Sequence, residues 1–389
     1  MIKKFSIPLN KKKERYFYQK VRNFNWNNIP ITDAWSMGTD INFLSRLCEY
    51  WLKKYSWENE VKKLNKLNQF ITKIDGIDLH FIHSKSKNKN ALPILLIHGW
   101  PGSLFEFKKL ALLLNKTDKN GISFDVVCPS IPGFGFSKPL LNAMGPRKIA
   151  KYFNKLMVEV LGYDYYLSQG GDWGAAISSW IGYDYKRSCK GIHLNAMLMR
   201  HEKGPITRTE KNWHKKFLQE QQIEDGYRTL QATKPLTLSY AMNDNPVGIA
   251  AWIIEKFQSW SDLKGKSLNK IFGYEDLISN IMLYLMTNSF NTSTWIYFGR
   301  REEGGRFFPK DFKKITVPTA VAIFPQEMSE WPPRSYVDRI FDIKQWSEMP
   351  GGGHFAALEK PDLLVEDIRK FLRNLRFNPY DESGGQSNR

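Results

Sequence analysis

The segment SQGGDWGAAIS, residues 168–178, restricts the fold of this chain more than any other part of the sequence. Three glycines, at positions 170, 171 and 174, surround Asp172. Glycine is favoured where a backbone is crowded or takes a positive φ. The pattern has the form of the strand-to-helix turn that usually reads G-x-S-x-G and presents a nucleophile. We therefore predict a carboxylate nucleophile at Asp172, since the alternative role of a helix N-cap does not explain the glycines.

Apolar strand-like runs alternate with helical segments along the chain. FITKIDGIDLHFIHSK predicts a hairpin that turns at Asp75-Gly76. The further predicted strands are LPILLI (92–97), FDVVCP, YDYYLSQ, GIHLNA (191–196), TAVAIF (319–324) and IKQWSEMP (343–350). This alternation predicts an α/β fold with a mostly parallel sheet flanked by helices. In such sheets the active groups gather at the carboxyl ends of the strands.

The same reading divides the chain into regions. Residues 197–318 have many helical signals and few strand signals, and a connection of this length is not structureless in a compact domain. We predict an N-terminal helical arm (1–68), an α/β-hydrolase core (69–196 and 319–378), a helical lid (197–318) and a disordered tail (379–389).

Composition narrows the class of protein. No apolar run approaches the 18 residues of a membrane span, and the basic N-terminus is not followed by the apolar region of a signal peptide. The three cysteines are scattered without metal-binding spacing, which is typical of a reducing compartment. The net charge of +18 is spread along the chain, so we predict a solvated basic surface and no specific nucleic-acid partner. The oligomeric state is left open, with a homodimer as one candidate.

Two further residues complete a candidate triad. His354 lies in MPGGGHFAALEKP, late in the chain, which matches the order nucleophile, acid, histidine of α/β-hydrolases. Glu327 follows the strand-like run TAVAIF by three residues and is our choice for the acid that orients His354. Its neighbour Glu330 is an alternative, while Asp338 in a predicted helix and Asp342 near a strand start are less well placed.

A carboxylate nucleophile restricts the reaction. It suits attack on saturated carbon, which gives an alkyl ester that a histidine-activated water then cleaves. Two N–H donors must face the ester oxyanion. We predict the backbone amides of Trp100, in HGWPGS, and Trp173 as these donors, whereas His98 and Pro101 hold the shape of the loop.

The motifs HGWPGS, QGGDWG, FPQE and GGHFAALEKP together resemble epoxide hydrolases of the microsomal and juvenile-hormone type. The N-terminal FSIPLNKKKERYFYQKVRNFNW is similar to the arm of those enzymes, so the resemblance covers nearly the whole chain. It implies that two lid tyrosines, carried over to Tyr227 and Tyr297, polarise the epoxide oxygen, and that Glu327 is the charge-relay acid. It implies a vicinal diol product and no metal or organic cofactor. The aromatic content of the lid favours a small apolar epoxide.

Other interpretations stay open at this point. Animal microsomal members of the family carry an N-terminal membrane anchor, whereas this chain begins at the arm, and we expect a soluble, cytoplasmic enzyme. A haloalkane dehalogenase shares the aspartate nucleophile and would use Trp173 to bind halide. A non-catalytic binding protein or a polyanion-binding protein could also use this fold. A serine esterase is disfavoured because Ser168 and Ser178 flank the turn at the wrong positions.

Overall fold

A nine-stranded sheet forms the centre of the structure, a computed structural model that describes residues 1–375. The strands are β1 (Lys3–Phe5), β2 (Gln69–Ile74), β3 (Ile77–Ser84), β4 (Leu92–Ile97), β5 (Phe124–Pro129), β6 (Tyr166–Gly170), β7 (Cys189–Leu194), β8 (Ile315–Ile323) and β9 (Phe341–Glu348). Across the sheet their order is β1-β2-β3-β5-β4-β6-β7-β8-β9. The pairs from β1 to β5 are antiparallel, and those from β5 through β4 to β9 are parallel. The mostly parallel sheet and the hairpin at Asp75-Gly76 are thus confirmed.

Helices cover this sheet. They are α1 (Lys11–Arg22), α2 (Ile41–Lys53), α3 (Trp57–Leu64), α4 (Lys108–Asn115), α5 (Pro146–Lys155), α6 (Asp172–Asp184), α7 (Arg208–Thr233), α8 (Pro235–Met242), α9 (Pro246–Trp260), α10 (Leu268–Ile271), α11 (Gly273–Thr287), α12 (Ser289–Ser293), α13 (Trp295–Glu302), α14 (Arg334–Val337), α15 (Ala356–Glu359) and α16 (Pro361–Asn374). A 3₁₀ turn, Leu104–Phe107, precedes α4, and a π-helical turn, Leu156–Val160, follows α5. Helices α7 to α13 all lie between β7 and β8 in the chain, and we call them the inserted helices.

The central strands explain where the site lies. All six residues of β4 are buried, because helices cover both faces of the sheet there, and this is why the strand is a continuous apolar run. Strand β4 pairs in parallel with β6, and β6 pairs in parallel with β7. The loops that follow these three strands therefore meet at one edge of the sheet.

The N-terminal residues differ from the predicted purely helical arm. Lys3–Phe5 forms β1, which pairs antiparallel with β2 and places Lys3 opposite Ile71. A strand of three residues is too short to show an alternating pattern, so the sequence gives no signal for it. Helices α1 to α3 are present, and the Tyr55 hydroxyl after α2 lies 3.1 Å from Ser279 Oγ on α11. This region therefore packs against the inserted helices.

Three further findings concern the described residues. No helix within residues 1–375 is both long enough and apolar enough to cross a membrane. The cysteines, Cys48, Cys128 and Cys189, are buried and unpaired. The tail predicted for residues 379–389 lies outside the residues that the structure describes.

Candidate active site

Asp172 lies at the turn between β6 and α6. Its φ is +45°, in the left-handed region that a residue with a Cβ rarely adopts, as in the sharp turn of a nucleophile elbow. The glycines around it serve close packing. A Cβ on Gly170 would lie 2.2 Å from the carbonyl carbon of Gly174, and a Cβ on Gly174 would lie 1.9 Å from the carbonyl oxygen of Ile97. Crowding of Gly170 against the start of α6 and of Gly174 against β4 therefore explains these two glycines, and the positive φ falls on the aspartate.

The Asp172 carboxylate is buried and contacts one of the two predicted oxyanion donors. The backbone N–H of Trp100, in the loop after β4, donates a hydrogen bond to Asp172 Oδ1 at 2.8 Å. Gly99 permits this approach, because a Cβ there would lie 2.1 Å from Oδ1. The amide of Trp173 lies in the first turn of α6, where N–H groups have no acceptor within the helix. The Trp100 amide thus contacts the carboxylate, and the Trp173 amide belongs to the residue that follows Asp172 in the chain.

The loop that carries Trp100 is held by contacts on both sides. His98 Nε2 accepts a hydrogen bond from the backbone N–H of Ile131 at 3.1 Å, which joins the loops after β4 and β5. On the other side, the Asn280 side chain on α11 donates to the carbonyl oxygen of Pro101 at 2.8 Å. These contacts support the shape-holding role predicted for His98 and Pro101.

His354 connects Asp172 to a second carboxylate. Its Nδ1 lies 2.5 Å from Glu327 Oε1, and its Nε2 lies 3.5 Å from Asp172 Oδ2. Because an ionised carboxylate only accepts, Nδ1 carries the hydrogen that joins His354 to Glu327. The backbone N–H of His354 also donates to the carbonyl oxygen of Trp260 on α9 at 2.8 Å, which fixes the loop after β9. The Nε2 atom is left facing Asp172.

Charge controls the protonation of this histidine. Burial alone would lower the pKa of His354, but the negative charges of Glu327 and Asp172 outweigh burial and raise the pKa well above 6.5. If Asp172 became a neutral ester, one of these charges would be lost and the pKa of His354 would fall, which would make the imidazole available as a base.

The structure distinguishes the acidic candidates. Glu327, in the loop after β8, contacts His354, and its Oε1 also accepts a hydrogen bond from the backbone N–H of Met328 at 2.8 Å. The other three acids form ion pairs elsewhere: Glu330 with Lys216, Asp338 with Arg334 and Asp342 with Lys344. The structure therefore brings Glu327 to His354. Within residues 1–375, Glu330, Asp338 and Asp342 form no hydrogen bond or ion pair with His354.

The two predicted tyrosines come from separate inserted helices and meet above Asp172. Tyr227 lies on α7 and stacks on the Trp100 ring at 5.4 Å, and Tyr297 lies on α13 with its ring 4.6 Å from that of Trp173. The two phenol rings are 5.9 Å apart, and both line a cavity with Asp172. Burial, together with the negative charge of Asp172, raises the pKa of both hydroxyls above 10. Both phenols are therefore neutral hydrogen-bond donors.

A second, small cavity adjoins Asp172 and contains a residue that the sequence analysis missed. Asp172 and His354 line this cavity together with Glu106, Gln169 and Asn195. Its volume is about 20 Å³, which is enough for one water molecule. Gln169 Oε1 is buried without a hydrogen-bond partner among the described residues. Burial raises the pKa of Glu106 to about 8. In the sequence FEFKK this glutamate is typical of an exposed helix face, so the sequence gives no sign that Glu106 lies beside Asp172.

Known proteins that are similar to this chain are epoxide hydrolases. The family models "Epoxide hydrolase N terminus" and "alpha/beta hydrolase fold" match residues 2–107 and 93–260. The chain is 38% identical to a putative epoxide hydrolase of Stigmatella aurantiaca over 90% of this chain and 80% of that protein. It is 34% identical to epoxide hydrolase 1 of Sus scrofa over 95% of this chain and 88% of that protein.

A solved structure agrees with these relatives. The juvenile hormone epoxide hydrolase of the silkworm Bombyx mori matches with a TM-score of 0.87 at 28% identity, over 97% of this chain and 95% of that chain. The α/β-hydrolase fold predicted from the sequence is thereby confirmed.

Proposed function

Since this chain belongs to the epoxide hydrolase family and is an enzyme that converts epoxides to vicinal diols, we propose that Asp172 is its nucleophile, served by four other side chains. These are His354, Glu327, Tyr227 and Tyr297. One observation carries the proposal, namely that three different groups converge on a single carboxylate. Trp100 N–H contacts Oδ1, His354 Nε2 lies near Oδ2, and the two phenols line the cavity in front of it.

In the first half-reaction, Tyr227 and Tyr297 donate hydrogen bonds to the epoxide oxygen. The Asp172 carboxylate attacks one ring carbon, the bond from that carbon to the oxygen breaks, and the oxygen takes a proton from the phenol pair. An alkoxide leaves poorly at neutral pH without such a donor, and the raised pKa keeps both phenols protonated. The product of this step is a hydroxyalkyl ester on Asp172.

In the second half-reaction, His354 Nε2 removes a proton from water, and the hydroxide attacks the ester carbonyl carbon. The Trp100 and Trp173 amides stabilise the oxyanion that forms, and Glu327 stabilises the imidazolium. Collapse of the oxyanion breaks the bond between the ester carbonyl carbon and the alkyl oxygen, and that oxygen takes the proton from the His354 imidazolium as the diol leaves. The Asp172 carboxyl, which now carries the oxygen from water, gives up its proton, and a proton returns to the phenolate of the tyrosine pair. We place the attacking water in the small cavity, where Gln169 Oε1 and the Glu106 carboxyl offer hydrogen bonds.

The walls of the cavity bear on the substrate. The Trp173 ring and the two phenol rings surround the space next to Asp172. This aromatic lining supports the proposal of a small substrate whose carbons beside the oxirane are apolar. None of the proposed steps uses a metal ion, an organic cofactor or a macromolecular partner. The reaction is complete with the side chains, two amides and water.

The tyrosine pair provides the test of the proposed function. Replacing both with phenylalanine, Tyr227→Phe with Tyr297→Phe, should slow formation of the ester from styrene oxide by about 10²- to 10⁴-fold, because the epoxide oxygen loses its acid. The measurement is a single-turnover rate with enzyme in excess. Tyr240→Phe is the control, since that side chain is 88% exposed and lies outside the site. A double variant as fast as the parent enzyme would contradict the proposal, as would chloride release from 1-chlorobutane by that variant.

The role of Glu327 has its own prediction, which concerns pH. Glu327→Gln should slow ester hydrolysis by about 10²- to 10⁴-fold, because the imidazole loses its orienting carboxylate. The charge of Glu327 raises the pKa of His354, so its removal lowers that pKa. The acidic limb of the hydrolysis rate should therefore move to lower pH. Glu330→Gln, which alters an acid paired with Lys216, should leave the limb and the rate in place. An unmoved limb in Glu327→Gln would exclude the assigned role.

A further inference from the structure

Four arginines line the same cavity as Asp172 and Tyr297, a feature that epoxide hydrolysis by itself does not require. They are Arg200, after β7; Arg228, on α7; Arg300, on α13; and Arg306, after α13. The backbone holds two of them side by side, because the N–H of Arg200 donates to the carbonyl oxygen of Arg306 at 2.8 Å.

Three of these guanidinium groups form no ion pair within the described residues. Arg228 pairs with Asp225 on the same helix, but no carboxylate oxygen lies within 4.0 Å of Arg200, Arg300 or Arg306 in the described part of the chain. The other acid in this wall, Glu224, pairs with Lys256 at 3.0 Å, and Lys256 also pairs with Glu255. A buried cation without a partner is costly, so an anion bound here would be stabilised.

Burial makes this cost substantial. Arg200 is 5% exposed and Arg300 is 9% exposed. Burial and the charges of the neighbouring arginines lower the pKa of Arg200 and Arg300 to about 9 and that of Arg306 to about 10. The positive charges of these arginines therefore repel one another when no anion is bound.

The arginines are nevertheless held in place with donors to spare. Their planes lie on aromatic rings, Arg300 at 5.2 Å from Trp173 and Arg200 at 4.7 Å from Phe217. Arg200 Nη1 donates to the carbonyl oxygens of Met197 and Met199, while its Nε is buried without a partner among the described residues. A guanidinium has five N–H donors in a planar fork, which matches the geometry of a carboxylate.

The position of the cluster fixes where such an anion would sit on a substrate. The Trp173 ring contacts both Tyr297, which faces the oxirane, and Arg300. Met197 and Phe217 also line this cavity. An occupant of this cavity thus meets the phenols, the Trp173 ring that contacts both Tyr297 and Arg300, and the guanidinium groups.

We propose that this arginine cluster is a carboxylate-binding subsite, and that the preferred substrate is an apolar epoxide with a carboxylate at the end remote from the oxirane. This proposal rests on the proposed function, because it assumes that the oxirane lies between Asp172 and the tyrosines. Arg300 and Arg306 bind the carboxylate, and the Trp173 ring packs against the apolar middle.

The test compares two epoxides of the same shape and different charge, 4-(oxiran-2-yl)benzoate and the neutral 4-(oxiran-2-yl)benzamide. We expect kcat/KM to be about 10- to 100-fold higher for the benzoate, because hydrogen bonds between charged groups contribute a stabilisation of this size. Arg306→Gln and Arg300→Gln should each remove most of this preference, acting mainly on the benzoate. Arg301→Gln is the matched control on α13, since Arg301 is exposed and pairs with Glu302. Equal turnover of the two epoxides by the parent enzyme would overturn the subsite while leaving epoxide hydrolysis intact.

A binding measurement separates the two proposals and does not depend on turnover or on how well the variants fold. Isothermal titration calorimetry of the parent enzyme would use 4-ethylbenzoate and 4-ethylbenzamide, which lack the oxirane. Tighter binding of the benzoate supports the subsite even if the proposed catalytic residues prove wrong. Equal or weaker binding of the benzoate shows that the arginines only support the loop at residues 197–199, and overturns the proposal.

Discussion

A His354→Gln variant incubated with styrene oxide is expected to gain the mass of one whole epoxide molecule per chain. Asp172 can still open the ring in this variant, because attack on carbon needs the carboxylate and the phenol pair but no base. Hydrolysis of the ester does need a base, and the general base contributes about 10²- to 10⁴-fold. Turnover should fall by that factor while the ester accumulates. Intact-protein mass spectrometry measures the adduct directly.

The mass of the adduct distinguishes an epoxide hydrolase from a haloalkane dehalogenase. A gain equal to the full epoxide means that nothing is expelled when the bond to Asp172 forms, whereas a haloalkane dehalogenase loses halide at this step. Asp172→Asn combined with His354→Gln is the control, because it keeps the shape of the site and removes the nucleophile. An adduct on that double variant, or no adduct on a folded His354→Gln variant with several epoxides, would contradict the assignment of Asp172.

Asp172→Ala is expected to lower the rate of diol formation by at least about 10⁴-fold. Residues that act as one unit in covalent catalysis show losses of this order when one of them is removed. The measurement is the kcat for styrene oxide in variants of confirmed fold. Asp184→Ala is the matched control: it changes an aspartate at the other end of α6, where Asp184 pairs with Arg147 at 2.8 Å, far from His354.

Oxygen labelling tests the same residue without a mutation. In a single turnover in ¹⁸O water with enzyme in excess, the diol should leave with unlabelled oxygen, because its new oxygen comes from the Asp172 carboxylate. The label should then appear in the peptide that contains Asp172. Label in the diol during the first turnover would show direct attack by water, and would reject the ester mechanism regardless of how Asp172→Ala behaves.

Local sequence was sufficient wherever the chemistry depends on neighbours in the chain. The elbow is predictable because the glycines that its close packing requires lie within two residues of Asp172. Strand β4 is predictable because its burial on both faces requires an unbroken apolar run. His354 and Glu327 follow from their places after late strands, since the loops at one edge of a parallel sheet must meet.

The tyrosines mark the limit of this local reasoning. Tyr227 and Tyr297 are two among 17 tyrosines, and only the resemblance to epoxide hydrolases singled them out. Their ring contacts with Trp100 and Trp173 join α7 and α13 to the loop after β4 and to the elbow. Such contacts across the chain leave no periodic pattern, so propensity and spacing do not reveal them.

What the sequence by itself determined is the fold and the kind of chemistry, because hydrophobic period, turn residues and motif order act over short distances. Only the tertiary structure decided which charges are buried. Arg200, Arg300 and Arg306 are indistinguishable from surface residues in a chain of net charge +18, and Glu106 resembles an exposed helix residue. Packing between distant segments buries Arg200 and Arg300 and half-buries Arg306 and Glu106 in the cavities beside Asp172. Burial is what gives an ionisable group its unusual pKa and its need for a partner, and it is a property of the folded chain.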